Sequence, residues 1–366
     1  MDIIDQIKSL NNELIQIFSE YKYIMIYIQG SPDPDALASS YALKYLGSIY
    51  DVKMDIVAGA DVSLLKNRVF INTIGIPFHI KRKRLKYSKY NGYAVLDFQA
   101  AKVKDIGDDL PCLIHIDHHE TADENHPSKF RYVTEKVGSV STIMSFLIEP
   151  YSESLGGKIF KKVTTALYYG ILSDTDNLVN ANITDRAAIG FLERYYDGKI
   201  ISKLLSTPYS PLTRSFIEIG ERNCVRYKDW LISGIGYIPE SNRDSIAIIA
   251  DMLLEKEDVS LAMAYAIVES DKKLYLDTSL RARKASIDLN SLIKSLTRNG
   301  GGRKGKGAFQ VDLDFFMVNT DRDELWALIK KAVYDKIVHA RNSITGIRTK
   351  AKIHGFMRLL RSVIDK

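Results

Sequence analysis

The chain has 366 residues, of which 46% are apolar and 26% are charged, and its formal net charge is +6. This is the composition of an ordinary globular protein with room for two domains, and the absence of any apolar run of about 18 residues argues against a transmembrane helix. The net charge favours anionic partners, but over this length it is too small to mark a nucleic-acid-binding surface.

The N-terminal sequence and the small number of cysteines indicate the cellular compartment in which the protein is expected. The first five residues are acidic and lack the basic region of a secretory signal. Cys112 and Cys224 are too few for a disulfide framework, and both lie in apolar, strand-like segments, as small core residues of a reducing environment do. We therefore expect a cytoplasmic protein with no membrane partner.

Strands alternate with helices over roughly the first 185 residues, which predicts an α/β domain with a mostly parallel sheet flanked by helices. Residues 69–74 are predicted as either a helix or a short strand. The predicted strands are 24–28, 52–57, 93–96 and 113–116, and the predicted helices are 3–20, 35–46, a segment opening at 138, and 158–172.

The pattern then changes to that of a second, smaller α+β domain. Its glycine- and lysine-rich stretch, 300–307, is predicted as a loop. Helices are predicted at 184–197 and 199–205 before this domain. Within it, helices are predicted at 243–256 and 287–296, and strands at 223–227, 231–238, 261–268, 273–280 and 309–312. We divide the chain into a first domain at 1–190, a helical linker at 191–215, a second domain at 216–330 and a basic helical tail at 331–366.

Four apolar segments each end in carboxylate or imidazole side chains. Buried parallel strands deliver polar groups to the carboxyl edge of their sheet in this way. The last of the four is expected to behave like the strands, although its spacing also predicts a helix. The segments are Ile24–Ile28 before Asp33 and Asp35, Tyr93–Leu96 before Asp97, Leu113–Ile116 before Asp117, His118 and His119, and Ala166–Ser173 before Asp174. Together they predict a divalent metal cluster better than four unrelated helix caps.

Asp33 and Asp35 lie on either side of Pro34, which stiffens the turn. One acid would be enough to cap the following helix, whereas two suit a pair of oxygen-ligated cations about 3.5–4 Å apart. Asp97, a lone acid after an apolar strand, is the natural bridge between two such ions. Oxygen-rich ligation with one or two imidazoles favours Mn²⁺ or Mg²⁺ over Zn²⁺.

The two adjacent histidines need separate roles, because neighbouring side chains on an extended backbone diverge. We expect one of His118 and His119 to ligate a metal while the other faces substrate or a supporting carboxylate. His115, inside the strand, is expected to be a core residue or to support the ligands.

Taken in chain order, the carboxylate and histidine motifs of the first domain resemble those of the DHH phosphoesterase superfamily, and the resemblance covers roughly residues 10–330. The second domain is similar to the DHH-associated domain, with Ser279-Leu280-Arg281 and Gly300-Gly301-Gly302-Arg303 at the places of its substrate-binding arginine and glycine-rich loop. The resemblance is nearer to the small enzymes that trim short oligonucleotides, dephosphorylate 3′-phosphoadenosine-5′-phosphate or open cyclic dinucleotides than to the larger exonucleases. The motifs of the first domain are Pro32-Asp33-Pro34-Asp35-Ala36 with Ser39, then Asp97, Asp117-His118-His119, Gly138-Ser139 and Gly170-Ile171-Leu172-Ser173-Asp174-Thr175.

The resemblance implies a centre with two Mn²⁺ ions, for which Mg²⁺ is the alternative cation. It implies that His119 contacts the scissile phosphate and that Asp117 orients the neighbouring histidine. Asp35, Asp97, His118 and Asp174 would hold the first ion, and Asp33 with the shared Asp97 would hold the second. Arg281, Arg303 and the backbone amides of Gly300, Gly301 and Gly302 would bind a terminal phosphate or nucleotide.

Two positions depart from the family pattern. Gln29 stands four residues before Asp33, where the family has histidine, and its neutral amide oxygen is a weaker ligand for the second ion. Arg303, Lys304 and Lys306 follow the glycines, where the family continues into histidine. This positive patch favours a more highly charged substrate end.

The leading hypothesis is a cytoplasmic, manganese-dependent phosphoesterase acting on short oligonucleotides or small nucleotides, with homodimerisation left open. One alternative is a phosphoanhydride hydrolase acting on polyphosphate or pyrophosphate. The other is a nucleotide-binding regulator whose metal site has decayed at Gln29.

Overall fold

The computed structural model describes residues 2–62, 64–80, 87–103, 106, 110–119, 127–152, 157–256, 258–270, 273–283, 287–303, 305–318 and 321–364. The side chains of Arg303 and of residues 344–364 lie outside this description, as does all of Lys304. The chain divides into two compact units, Met1–Tyr209 and Ser210–Lys366. The finer division into a linker at 191–215 and a tail from 331 stays a prediction.

The first unit is built on a six-stranded sheet in which every neighbouring pair of strands is parallel. Its strands are β1 Tyr23–Ile28, β2 Lys53–Ala58, β3 Phe78–Ile80, β4 Gly92–Leu96, β5 Cys112–Asp117 and β6 Phe130–Val133. The order β3-β2-β1-β4-β5-β6 means that the chain runs from β1 to one edge and then returns to build the other edge. The switch point between β1 and β4 is where such sheets bind ligands, outside the carboxyl ends of the strands.

Eight helices are described in this unit, and α3 packs against α5 and α6 in its core. They are α1 Ile3–Ser9, α2 Asn11–Glu20, α3 Pro34–Ile49, α4 Leu65–Ile74, α5 Val140–Ile148, α6 Lys158–Asp174, α7 Ile183–Leu192 and α8 Gly198–Leu205. The predicted fold class, a mostly parallel sheet flanked by helices with a second smaller domain, is confirmed.

Two predictions about this unit differ from the structure. The helix expected over 3–20 is two helices that meet at Leu10. The helix predicted at 158–172 is confirmed as α6, with its fully buried residues Val163, Ala166 and Leu167 at helical spacing, so grouping the segment before Asp174 with the strand ends was wrong. Asp174 therefore reaches the site from the last turn of α6.

The second unit contains a six-stranded mixed sheet with order β11-β12-β10-β9-β8-β7. Its strands are β7 Cys224–Tyr227, β8 Trp230–Pro239, β9 Leu261–Ser270, β10 Lys273–Ala282, β11 Gly300–Arg303 and β12 Lys306–Asp312, and its helices are α9 Pro211–Arg222, α10 Ser245–Lys256, α11 Leu289–Leu296 and α12 Arg322–Ile364. Only β8 and β9 pair in parallel; the other neighbours are antiparallel.

The glycine-rich stretch forms an edge strand, so the predicted loop at 300–307 is wrong. Gly300 to Arg303 pair with residues of β12 in an antiparallel hairpin. A β-carbon on Gly302 would lie 2.9 Å from the backbone nitrogen of Asn290, so only glycine lets this strand approach the start of α11 so closely. The composition that suggested a loop reflects close backbone packing.

Within the part of the chain that is described, no helix is long and apolar enough to cross a membrane.

Candidate metal centre

Four side chains from separate segments converge at the carboxyl edge of the parallel sheet. Asp35 lies in the first turn of α3, Asp97 follows β4, His118 follows β5, and Asp174 ends α6. One potential ligand atom from each lies within 4.8 Å of the ligand atoms of the other three. The structure thus brings together the four residues that the sequence assigned to the first cation.

The central contacts of this cluster involve His118. Its Nε2 atom lies 3.3 Å from Oδ1 of Asp97 and 3.2 Å from Oδ2 of Asp174. Among the described residues, His118 Nε2 and Asp97 Oδ1 are buried atoms without a hydrogen-bond partner. A buried polar atom without a partner is costly, and a divalent cation would satisfy both atoms at once. The three carboxylates and one imidazole therefore fit a metal ion such as Mn²⁺ or Mg²⁺.

Asp35 is fully buried and is held by the N-terminus of α5. Its Oδ2 accepts a 2.7 Å hydrogen bond from the Val140 amide, and its Oδ1 accepts a 2.8 Å bond from the Ser141 amide. Helix N-termini favour negative charge, and each carboxylate oxygen keeps a second lone pair for a cation. The rotamer of Asp35 thus depends on where α5 begins.

Asp97 occupies a backbone conformation that is uncommon for a residue other than glycine, with φ of 56°. Its amide donates to the carbonyl of Ile116 at 3.0 Å. The next residue, Phe98, accepts a 2.8 Å hydrogen bond from Nε2 of the buried His115. Burial lowers the pKa of His115 and favours the neutral ring. His115 therefore braces the turn that presents Asp97, in line with the supporting role weighed for it from the sequence.

The electrostatics of the cluster are those of crowded carboxylates around one imidazole. Burial, followed by the charge of Asp174, raises the pKa of Asp33 to about 7 and that of Asp35 to about 6. Burial and the charge of Asp33 raise the pKa of Asp97 well above its usual range. Burial opposes the charged form of His118, but the carboxylates of Asp174 and Asp97 outweigh it and raise the pKa of the imidazole to about 11. Without a cation, protons supply the positive charge.

Besides the shared Asp97, the residues considered for the second cation are Asp33 and Gln29. Oδ1 of Asp33 accepts a 2.8 Å hydrogen bond from the Ala36 amide, so Asp33 caps α3. Asp33 lies outside the four-residue cluster, although its charge acts on Asp97. Oε1 of Gln29, at the end of β1, is buried and has no hydrogen-bond partner among the described residues.

The second histidine of the pair faces a different carboxylate. Nδ1 of His119 donates to Oδ1 of Asp117 at 2.6 Å, and Asp117 is fully buried. Burial alone would raise the pKa of Asp117, but the hydrogen bond from His119 and the charges of both histidines lower it. Asp97, His118 and His119 also form a second group of potential ligands.

The family described as "DHH family, N-terminal domain" matches residues 23–171, which span β1 to α6. The segment 23–171 is therefore similar to the N-terminal domain of the DHH family. The resemblance drawn from the motifs is confirmed at the level of the superfamily, and the narrower subgroup and the DHH-associated domain stay predictions.

Individual relatives are distant. An uncharacterized protein of Methanocaldococcus jannaschii is 28% identical over 332 residues, which cover 90% of this chain and 65% of the relative, so the chain spans slightly less than two thirds of that curated relative. An exopolyphosphatase-related protein from Bacteroides fragilis is 16% identical, with a TM-score of 0.67 over 90% of this chain and 97% of its own, and shows the fold alone. RecJ from Thermus thermophilus, in complex with Mn²⁺, is 12% identical with a TM-score of 0.46, over 88% of this chain and 54% of its own.

The predicted substrate-binding residues of this protein lie in its second unit. The guanidinium of Arg281 donates to Asp251 of α10 through Nε and, at 3.2 Å, through Nη2, and Nη1 donates to Ser279 Oγ at 2.7 Å. Asp251 is thus the anionic partner of Arg281 in the structure. Gly300, Gly301 and Gly302 belong to β11, and the Gly302 amide donates to Asn290 Oδ1 at 3.4 Å. Their role in binding substrate stays a prediction.

Sequence reasoning missed two carboxylates that contact motif residues: Asp251, which contacts Arg281, and Asp185, which contacts Gly138. Asp251 lies 30 residues from Arg281, and nothing in the spacing links them. The contact of Asp185 with Asn182 could have been predicted from the sequence, because these two residues have the spacing of a helix capping box.

Proposed function

We propose that this protein is a divalent-metal-dependent phosphoesterase that hydrolyses phosphate esters of short oligonucleotides or small nucleotides, with Mn²⁺ as the preferred cation. The observation that carries the proposal is the cluster of Asp35, Asp97, His118 and Asp174 within 4.8 Å, in which two buried atoms have no hydrogen-bond partner among the described residues. Such a donor set suits a divalent cation, and all of its residues except Asp174 lie in the segment 23–171 that matches the DHH family.

In this proposal the four clustered residues hold the first cation, and Asp33 and Asp97 hold the second with help from Gln29. Oδ1 of Asp33 caps α3, which assigns Oδ2 to the cation. Cations held here would supply Lewis-acid activation of a water molecule and neutralise charge on the reacting phosphate. The protein's own contribution is to keep the carboxylates in place, through α5 for Asp35 and through the turn braced by His115 for Asp97.

His119 is the residue proposed to bind the scissile phosphate. Because its Nδ1 is engaged by the buried Asp117, Nε2 is the ring atom assigned to a phosphate oxygen. The carboxylate fixes both the tautomer and the orientation of the ring, as supporting carboxylates do in metal and catalytic sites. Arg281, Arg303 and the amides of Gly300–Gly302 are proposed to select the end of the substrate.

Turnover of defined substrates tests the proposal. The purified protein would be assayed with Mn²⁺, with Mg²⁺ and with chelator against a 5′-phosphorylated dinucleotide, 3′-phosphoadenosine-5′-phosphate, a cyclic dinucleotide and polyphosphate. Metal-dependent cleavage of at least one ester, lost in Asp97→Asn, supports the proposal. Hydrolysis of polyphosphate alone would show that the protein is a phosphoanhydride hydrolase instead. Polyphosphate is among the substrates because of the name of the Bacteroides fragilis protein. Nucleotide binding without turnover of any substrate would replace the proposed function with that of a regulator.

A further inference from the structure

Asp185, the third residue of α7, is a fully buried carboxylate with donors from two separate segments. Its Oδ1 accepts from the Gly138 amide at 2.8 Å and from the Thr142 hydroxyl at 2.7 Å. Its Oδ2 accepts from the Asn182 amide at 2.9 Å, which completes the capping box of α7. The cap needs only the contact to Asn182. The two other bonds reach across to the start of α5.

Those two bonds hold the two ends of the turn whose amides donate to Asp35, a member of the four-residue cluster. Gly138 and Thr142 flank Val140 and Ser141, whose amides donate to Asp35 at 2.7 and 2.8 Å. The turn 138–142 is therefore fixed by two buried carboxylates, one from α7 and one from the cluster. In the contacts described, only this turn donates hydrogen bonds to the side chain of Asp35. A displacement of the turn would therefore displace the Asp35 carboxylate.

Gly138 also adjoins a second ligand. A β-carbon on Gly138 would lie 2.7 Å from Oδ2 of Asp185 and 2.7 Å from Cγ2 of Thr175, the residue after Asp174. The turn is thus packed between Asp185 and the chain that delivers Asp174. This accounts physically for the glycine of the Gly138-Ser139 motif, which the proposed mechanism does not use.

We propose that Asp185 is a positioning residue of the metal centre: by holding the turn 138–142, it sets Asp35 in the geometry that binds the cation. The inference rests on the proposed metal-dependent function. Outer residues that orient a metal ligand typically change metal affinity by about 10- to 100-fold when removed. A residue that only caps α7 would change stability and leave the affinity of the folded protein unaltered.

Asp197 provides a matched control in the same unit. It caps α8 through hydrogen bonds from the Lys199 and Ile200 amides at 3.0 and 3.3 Å, and it pairs with Lys161. In the contacts described, none of these partners touches the four-residue cluster. Asp197→Ala therefore removes a helix cap without reaching Asp35.

The test is calorimetric titration of Mn²⁺ alone into the full chain, with melting temperatures measured in parallel. Asp185→Ala should raise the Kd for Mn²⁺ at least about tenfold, and Thr142→Val, which keeps the carboxylate, should raise it by a smaller factor. Asp197→Ala should leave the Kd unchanged. In an Asp35→Asn background, Asp185→Ala should cause no further loss, because its effect passes through Asp35.

The outcomes separate this inference from the proposed function. If the wild-type chain binds neither Mn²⁺ nor Mg²⁺, the metal-dependent function fails and the inference fails with it. If the wild type binds Mn²⁺ and both Asp185→Ala and Thr142→Val bind it equally well, only the inference is overturned. It is also overturned if Asp197→Ala weakens binding as much as Asp185→Ala does. Should Asp185→Ala not fold, Thr142→Val decides the question by the same comparison.

Discussion

Nδ1 of His119 and Oδ1 of Asp117 are 2.6 Å apart, so the last residue of the Asp-His-His triplet is hydrogen-bonded to the first. His118, between them, turns instead to Asp97 and Asp174. The two histidines of the triplet therefore divide into two roles. His118 joins the four-residue cluster, and His119 is oriented by the buried Asp117. Different substitutions in the triplet should have separable effects on metal binding and on turnover.

Asp117→Asn tests this division. The asparagine amide cannot hold His119 in the same tautomer with a full negative charge, so kcat should fall by about 10- to 100-fold. The Kd for Mn²⁺ should change little, because Asp117 is absent from the four-residue cluster. Steady-state kinetics and Mn²⁺ titration of the same preparation check both parts. A variant that loses Mn²⁺ and turnover together would show that Asp117 supports the ligands and not the substrate-binding histidine.

The affinity for Mn²⁺ should rise with pH between about 5 and 8. The pKa of Asp35 is raised to about 6 and that of Asp33 to about 7, in each case by burial and then by the charge of Asp174. Below these values the carboxyl groups are protonated and must release a proton to the solvent before they bind a cation, so low pH opposes binding. Titration of Mn²⁺ in buffers of different ionisation enthalpy would measure the protons released. Affinity that is flat across this range, with no proton release, would contradict the crowded cluster.

Gln29→His should restore an imidazole at the position that the family resemblance assigns to the second cation. Because Oε1 of Gln29 is buried without a hydrogen-bond partner among the described residues, we expect the side chain to face the site. The Mn²⁺ concentration for half-maximal activity should fall in this variant and should stay near the wild-type value in a Gln29→Asn control. Unchanged metal dependence in Gln29→His would place residue 29 away from the ion.

Arg281 can engage a carboxylate or a phosphate through the same edge of its guanidinium, but not both at once. Arg281→Ala should raise KM for 5′- or 3′-phosphorylated short substrates far more than for a chromogenic ester with an uncharged end. Asp251→Asn should lower KM for the phosphorylated substrates, because it removes the competing partner. Arg281→Lys should not restore recognition, since a point charge does not replace the planar fork. If both classes of substrate respond equally to Arg281→Ala, its role is limited to holding Asp251.

Local patterns predicted the fold class and the four segments that meet at the cluster, whereas the choice of Asp35 and His118 as ligands of the first cation came from the family resemblance. Buried parallel strands are apolar throughout, so the acids after β1 and β4 and the histidine after β5 stand out at their ends. Asp174 was found by the same logic, although a helix and not a strand delivers it, since a helix end and a strand end can meet at one sheet edge.

The parts that could not be predicted depend on contacts between distant segments. Asp185 and Gly138 are 47 residues apart, and only the packing of α5 against α7 brings them together. The pairing of Arg281 with Asp251 depends likewise on how α10 lies on β10. The glycines at 300–302 suggest a loop by composition, whereas pairing with β12 makes them a strand, and Gly302 packs closely against the start of α11.

Mn²⁺-dependent turnover of a 5′-phosphorylated dinucleotide by Asp97→Asn, compared with the wild type at matched folded fraction, tests the central claim most directly. Asp97 contacts His118 within the cluster, and it is the residue proposed to help hold both cations. The account predicts that kcat falls by at least about a hundredfold, as for removal of a central electrostatic group, and that excess Mn²⁺ does not restore it. Near-normal turnover by a folded Asp97→Asn protein would contradict the assignment of this cluster as the catalytic metal centre.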